Sequence, residues 1–203
     1  QMIQIKSKRE IEIMRKADQF KALRYGIDVF ECNAAISGVL TDCYRTKQFM
    51  HGVIRAVKKL EERFPRKDKE KLIEEDVLRI GDLGSGPFGF LGVVALLASE
   101  RVKVVFYELN PESKIILDTV LDSLNLSSRA RTFCEDATKC NPEKGFHAIF
   151  SETMMEGLFC EPLPILIQQA RKHLLPNGII IPEQIDIKIL PINMSNPKTK
   201  LIH

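Results

Sequence analysis

The chain has 203 residues, enough for one domain with a substantial hydrophobic core. Its composition of 44% hydrophobic and 28% charged residues is ordinary for a soluble globular protein, and no apolar run is long enough to span a bilayer. The net charge of +3 is too small to indicate a nucleic-acid partner by itself, and the first residues show no signal-peptide pattern. We therefore expect a soluble domain with no membrane partner.

The cysteines indicate the compartment. There are five, none in a C-x-x-C pair: Cys32, Cys43, Cys134, Cys140 and Cys160. An odd count without paired spacing is typical of reduced thiols, and it argues against a zinc site. The sequence predicts a cytoplasmic protein without a bound metal.

The N-terminal third of the chain has apolar residues at helical spacing. This spacing predicts one helix over residues 10–25 and further helix over residues 35–60, ended by Pro65. A charged linker follows over residues 66–71. We expect residues 1–65 to form helices that cover a site in the second unit, residues 66–203.

From Val77 onward, strand patterns alternate with helix patterns. This alternation predicts an α/β fold with a doubly wound, mostly parallel sheet and right-handed crossovers. The predicted strands cover residues 77–80, 102–107, 129–134, 148–151, 179–181 and 184–189. The predicted helices cover residues 90–98, 111–126 and 162–175, the last stopped by the Pro-Asn-Gly of residues 176–178.

A glycine-rich turn joins the first of these strands to its helix. Asp82 stands at the end of the strand, and Gly84, Gly86 and Gly89 follow before an apolar run. Glycines let a ligand approach the backbone closely, and the helix start presents free N–H groups. The turn predicts a pocket for a nucleotide-like ligand. Its G-x-G-x-x-G spacing fits a nicotinamide or flavin dinucleotide.

The same turn also fits a second cofactor class. Asp82, two residues before Gly84, resembles the acid of the D/E-x-G-x-G motif in S-adenosylmethionine (SAM) methyltransferases. In that family the acid lies near the ammonium end of the cofactor and orders the turn. This resemblance favours SAM over a dinucleotide, with Asp82, Gly84, Ser85 and Gly86 as cofactor-binding residues.

Acidic residues follow four successive predicted strands: Asp82, Glu108, Asp136 and Glu152. Ligands of open α/β sheets bind at these strand ends. Glu108 has the spacing of an acid that accepts hydrogen bonds from ribose hydroxyls. Asp136, with the backbone of Ala137 and Thr138, suits an adenine edge. An acidic site also suits the positive sulfonium of SAM.

Three stretches in order resemble the protein arginine N-methyltransferases. Residues 151–161 resemble the family's double-glutamate loop, S-E-W-M-G-x-x-L-x-x-E, although Thr153 replaces the tryptophan and Met155 the glycine. Residues 40–46 resemble the L-x-D-x-x-R-T helix of the family, and residues 177–182 its strand towards the substrate-side domain. The resemblance implies a Rossmann-like SAM methyltransferase fold.

The resemblance also implies roles for particular residues. Arg45 would bind the SAM carboxylate, Glu152 and Glu161 would clamp a guanidinium, and Met154 would pack near the transferred methyl group. The implied acceptor is a protein or peptide arginine, or a small guanidino or amine compound, and a homodimer is possible. From the residues alone, Glu161 also suits a cap of the helix that follows it.

Three other functions share parts of this pattern. They are methyl transfer to another nitrogen, oxygen or carbon acceptor, nicotinamide-dependent oxidoreduction, and SAM binding without chemistry. The family continues into a β-barrel domain, whereas this chain ends at His203. We expect either a cofactor-binding fragment of a longer protein or an acceptor site built differently. Residues 58–75 look like an insertion relative to the family.

Overall fold

The computed structural model describes residues 43–153 and 163–186, and they contain one five-stranded parallel sheet in the order β3-β2-β1-β4-β5. The strands are β1 (Leu78–Leu83), β2 (Val102–Tyr107), β3 (Ala130–Phe133), β4 (Phe146–Phe150) and β5 (Leu174–Ile181). The helices are α1 (Cys43–Arg63), α2 (Phe90–Ala98), α3 (Pro111–Ser123) and α4 (Leu163–Ala170). The predicted doubly wound α/β fold is confirmed. The helix predicted over residues 10–25 lies outside the described residues.

Apolar side chains cover the sheet on both faces, as expected of buried parallel strands. On one face α1, α2 and α3 pack against alternate residues of β1, β2 and β4, with Ile80, Phe106 and Phe150 fully buried. On the other face Leu166 and Ala170 of α4 pack with their neighbours on the sheet. Burial of both faces holds the strand ends in place, and those ends carry the predicted site.

Helix α1 has one apolar and one polar side. Val53, Ala56, Val57 and Leu60 are buried in the same core as α2 and the sheet. The 3–4-residue spacing of these four residues places them on one stripe, and the opposite side carries the exposed Lys47, Arg55, Lys58 and Lys59. Within the described residues, no helix is long and apolar enough to cross a membrane.

The strand order places a switch point between β1 and β4. From β1 the chain continues to β2 and β3 on one side, and it returns to β4 and β5 on the other. The strands end together, because Leu83 pairs with Tyr107, Tyr107 with Phe133, and Asp82 with Phe150. In open sheets of this kind the crevice beside the switch point is the usual ligand site.

Strand β1 is longer than the prediction of residues 77–80. It runs to Leu83, because Gly81, Asp82 and Leu83 continue the parallel ladder with β2. Asp82 therefore lies within the strand rather than after it. Glycine and aspartate are both poor strand formers, so local preference alone ends the strand too early.

Other predicted boundaries also differ, most of them at the C-terminal end of the described residues. Helix α4 ends at Ala170, followed by one 3-10 turn (Arg171–His173), and β5 begins at Leu174. The residues predicted to stop that helix instead form an irregularity within β5, where the pairing jumps from Leu174 to Ile179. Residues 184–186, predicted as strand, are not in one. Helix α3 also ends at Ser123, three residues before the predicted end.

Candidate cofactor and active site

The glycine turn after β1 has the backbone that its sequence predicts. Gly84, Gly86 and Gly89 have φ angles of +74°, +65° and +49°, in the left-handed region that favours glycine. A Cβ on Gly84 would lie 2.6 Å from Thr153 Cγ2, and one on Gly89 would lie 2.5 Å from Leu117 Cδ1. A Cβ on Gly86 would have nothing within 4 Å. The turn is therefore packed at both ends and open at Gly86, where a ligand can approach the backbone.

The end of β2 holds this turn in place. The carbonyl of Tyr107 accepts hydrogen bonds from Gly84 N at 2.9 Å, from Ser85 N at 3.1 Å and from Ser85 Oγ at 3.2 Å. The same hydroxyl lies 3.1 Å from the carbonyl of Asp82. Ser85 thus connects the turn to β1 and β2.

Glu108 lies next to the turn and is 4% exposed. Its Oε2 accepts from Gly86 N at 2.7 Å, and its Oε1 accepts from Asn110 N at 2.8 Å. A carboxylate has about four lone-pair sites, so each oxygen can accept a further hydrogen bond. The carboxylate fixes the turn against the start of α3 and retains acceptor capacity for a ligand hydroxyl.

Asp82 is a buried carboxylate of the site with a raised pKa. It is 2% exposed, and its Oδ2 accepts from Gly92 N at 2.8 Å, in the first turn of α2. Burial raises the pKa of Asp82 to about 7, the Gly92 N–H opposes this rise, and the charge of Glu108 adds to it. Within the described residues, no hydrogen bond reaches Oδ1. This buried and unsatisfied acceptor is suited to a cationic or hydrogen-bonding group of a ligand.

At the end of β3, Asp136 caps the short turn Ala137–Lys139. Its Oδ1 accepts from Thr138 N at 3.1 Å and from Thr138 Oγ1 at 2.8 Å. Ala137 is buried. The predicted residues therefore do form an ordered loop at the correct edge of the sheet. The contact of this loop with an adenine stays a prediction.

Two predicted site residues from distant parts of the chain meet directly. The guanidinium of Arg45, on α1, donates from Nη2 to Oε1 of Glu152, after β4. The Arg45 side chain is 31% exposed and that of Glu152 is 17% exposed. Thr153, next to Glu152, lies against Gly84. The structure therefore brings α1, the glycine turn and the segment after β4 together.

Two supporting residues were not identified from the sequence. The fully buried Ser151 donates from Oγ to the carbonyl of Leu83 at 2.8 Å, which joins the ends of β4 and β1. Asn110 caps α3 through Oδ1, which accepts from Glu112 N and Ser113 N. An Asn-Pro-Glu start of a helix is a readable signal for Asn110, whereas the role of Ser151 depends on strand order.

Met154 and Glu161, predicted as catalytic residues, lie outside the described residues. Their roles stay predictions. Glu152 is thus the member of the predicted catalytic set that the structure places.

Comparison with solved structures identifies the fold. The chain is similar to protein arginine methyltransferase 10 of Arabidopsis thaliana, with a TM-score of 0.57 and 20% identity over 70% of this chain. It is also similar to the PRMT1 enzyme–prozyme heterotetrameric complex of Trypanosoma brucei with AdoHcy, with a TM-score of 0.56 and 18% identity over 71% of this chain. The fold is that of the SAM-dependent methyltransferases.

The predicted likeness to the arginine methyltransferases is confirmed at the level of this methyltransferase fold. The aligned region corresponds to 36% of the Arabidopsis chain and 40% of the Trypanosoma chain, so this chain spans less than half of either. No protein-family model matches the sequence, and no curated protein matches it.

The glycine turn supports one direct prediction. We expect Gly84→Ala to destabilise the protein by about 1–3 kcal/mol, because alanine is strained at a φ of +74° and its Cβ would overlap Thr153. Chemical denaturation measures this loss. Gly52→Ala is the matched control, since Gly52 lies within α1 with nothing within 4 Å of an added Cβ.

We expect the control substitution to stabilise the protein by about 0.5–1 kcal/mol, because alanine is the better helix former. Equal stability of the Gly84→Ala variant and the unchanged protein would contradict the described turn geometry.

Proposed function

We propose that the chain is the cofactor-binding part of a SAM-dependent N-methyltransferase that acts on a guanidino or related amine group. The observation that carries the proposal is the contact between Arg45 and Glu152. It shows a carboxylate accepting a guanidinium at the switch point of a methyltransferase fold, next to the glycine turn. A guanidinium acceptor would present the same planar group to the same carboxylate.

The residues of the turn fit SAM. Glu108 offers ribose hydroxyls an acceptor fixed by two backbone N–H groups, and the open backbone at Gly86 admits a ligand. The unsatisfied Oδ1 of Asp82 suits the ammonium of the methionine part. Arg45 would leave Glu152 to bind the carboxylate of the cofactor, which would free Glu152 for the acceptor. When bound, SAM supplies an electrophilic methyl group. Phosphates bound at the turn would lie near the buried carboxyl group of Asp82, which is unfavourable for a dinucleotide.

Glu152 would hold and orient the acceptor. Its negative charge attracts a guanidinium and holds positive charge on the nitrogens it contacts, which leaves a lone pair on the nitrogen that is methylated. Positioning of two bound reactants is worth about 7–11 kcal/mol of the barrier at best. We propose that Glu161 completes the clamp and that Met154 packs near the transferred methyl group.

The proposal also assigns a role to the N-terminal part of the chain, residues 1–65. Arg45 reaches Glu152 from α1, which packs in the same core as the sheet. We propose that residues 1–65 cover the cofactor site of the unit formed by residues 66–203. We also propose a cytoplasmic protein, in which Cys134 and Cys140 remain free thiols.

The direct test is methyl transfer from SAM labelled in its methyl group. Arginine-containing peptides, free guanidino compounds, amines and alcohols serve as acceptors, in the longest natural form of the chain. We expect label on guanidino nitrogen. Label on an alcohol or carbon acceptor alone would retain the cofactor assignment and reject the acceptor. If the protein binds SAM but transfers label to no acceptor, it is a SAM-binding module without methyltransferase activity.

Glu108→Gln tests the ribose contact separately from catalysis. Glutamine keeps one acceptor for the N–H of Gly86 or Asn110 but removes the charge. We expect SAM affinity to fall by roughly 1–3 kcal/mol, the cost of losing charge-assisted hydrogen bonds. Isothermal titration calorimetry measures it, and Glu112→Gln, in the first turn of α3, is the control. Unchanged affinity in Glu108→Gln would remove Glu108 from the cofactor site.

A further inference from the structure

The solvent face of α1 carries four exposed cations and one exposed carboxylate, Glu62. Lys47, Arg55, Lys58 and Lys59 are exposed, and within the described residues none of them forms an ion pair. His51 is exposed between them. We call these five residues the α1 basic face. Residues four apart lie about 6 Å apart along a helix axis and about 40° apart around it, so Lys47, His51, Arg55 and Lys59 follow an inclined row on the solvent side.

The small net charge of the whole chain does not reveal this local concentration of positive charge. Helix α1 itself, Cys43–Arg63, contains six Lys and Arg against two Glu, a net charge of +4. The complete chain has a net charge of only +3, so the remaining residues together are acidic. The small overall charge therefore does not exclude an anionic partner for this one surface.

An aromatic ring extends the same face. Tyr44 lies seven residues before His51, which places it on the same side of α1, and it is 75% exposed. A cationic track beside an exposed aromatic ring matches the way single strands are bound, with phosphates on the cations and a base stacked on the ring. An acidic peptide would bind the cations but would gain no stacking contact with the ring.

We propose that the α1 basic face, with Tyr44, binds single-stranded nucleic acid. Lys47, Arg55, Lys58 and Lys59 contact phosphates, and a base stacks on Tyr44. The proposal does not depend on cofactor binding. It concerns the outer surface of α1, whereas Arg45 of the same helix faces Glu152.

The test is fluorescence anisotropy of a labelled single-stranded RNA 12-mer, and of its DNA equivalent, titrated with the whole chain. For about four phosphate contacts, the logarithm of the binding constant should fall with the logarithm of salt concentration with a slope of about −3. The triple variant Arg55→Glu, Lys58→Glu, Lys59→Glu should lose at least tenfold in affinity. The variant Arg131→Glu, Lys144→Glu, Lys172→Glu has the same net charge on other surfaces and should lose much less.

Tyr44 separates nucleic acid from other polyanions. We expect Tyr44→Ala to weaken RNA binding about tenfold without changing the salt slope, and Tyr44→Phe to retain it. Circular dichroism confirms that each variant is folded. Three results would each overturn the proposal: no binding at low salt, equal losses in the two triple variants, or a poly-glutamate peptide bound as tightly as RNA with the same sensitivity to Tyr44→Ala.

Discussion

Replacing Glu152 by glutamine should lower the rate of methyl transfer about a hundredfold or more while the protein stays folded. The substitution keeps the size of the side chain and removes the charge that would hold a guanidinium. Misplacing a bound reactant by about 1 Å is enough for a loss of this size. Initial rates with labelled SAM and an arginine peptide measure it.

Glu135→Gln is the matched control for this substitution. Glu135 is an exposed carboxylate that follows β3, at the same edge of the sheet, and it has no proposed contact with the acceptor. We expect its rate to stay within about twofold of the unchanged protein. Near-normal turnover by Glu152→Gln would reject Glu152 as part of the acceptor clamp.

A second glutamate makes the test of the clamp sharper. If Glu152 and Glu161 act together, Glu161→Gln alone should cost about as much as Glu152→Gln. The double variant should then cost little more than either single variant, because groups that act as a unit are not additive. Additive losses would indicate two separate roles, and full activity in Glu161→Gln would leave that residue as a helix cap.

Asp82 should make the folded state less stable as the pH rises. Its pKa is about 7 in the folded protein, against an ordinary value of 3.8, because the carboxylate is buried. A raised carboxyl pKa gives stability that is fully present below about pH 4 and is lost as the pH rises through 7. The full loss is on the order of 4 kcal/mol at 1.36 kcal/mol for each unit of pKa.

The measurement is chemical denaturation of the protein and of Asp82→Asn at about pH 4, 5.5, 7 and 8. Asparagine keeps an acceptor for the Gly92 N–H but does not ionise. We expect the unchanged protein to lose stability relative to the variant between about pH 4 and 7, and the difference to level off above that range. A constant difference across the series would show that Asp82 titrates near its ordinary value.

The sequence predicts the elements of the sheet better than it predicts their ends. Helix α2 and strand β2 have the predicted bounds, because each is a continuous apolar run with clear breaks on both sides. Strand β1 was predicted too short, since pairing with β2 extends it through Gly81 and Asp82. The start of β5 depends on the pairing of Leu174 with Phe146, and local sequence does not show that contact.

The same difference between local signals and tertiary contacts applies to the candidate site. The position of Asp82, Gly86 and Glu108 at one edge of the sheet was predictable, because strand ends and a glycine turn are local signals that a parallel sheet brings together. The hydrogen bond of Glu108 to Gly86, and the contact of Arg45 with Glu152 across 107 positions of sequence, depend on tertiary packing. Sequence patterns thus identified candidate residues, and only the fold shows which of them meet.

The central claim is that the glycine turn binds SAM, and isothermal titration calorimetry of the whole chain with SAM, S-adenosylhomocysteine and NAD tests it most directly. We predict saturable binding of SAM and S-adenosylhomocysteine at one site per chain, weakened by Glu108→Gln, and no binding of NAD at the same concentrations. Binding of NAD without binding of SAM would contradict the claim and make the turn a dinucleotide site.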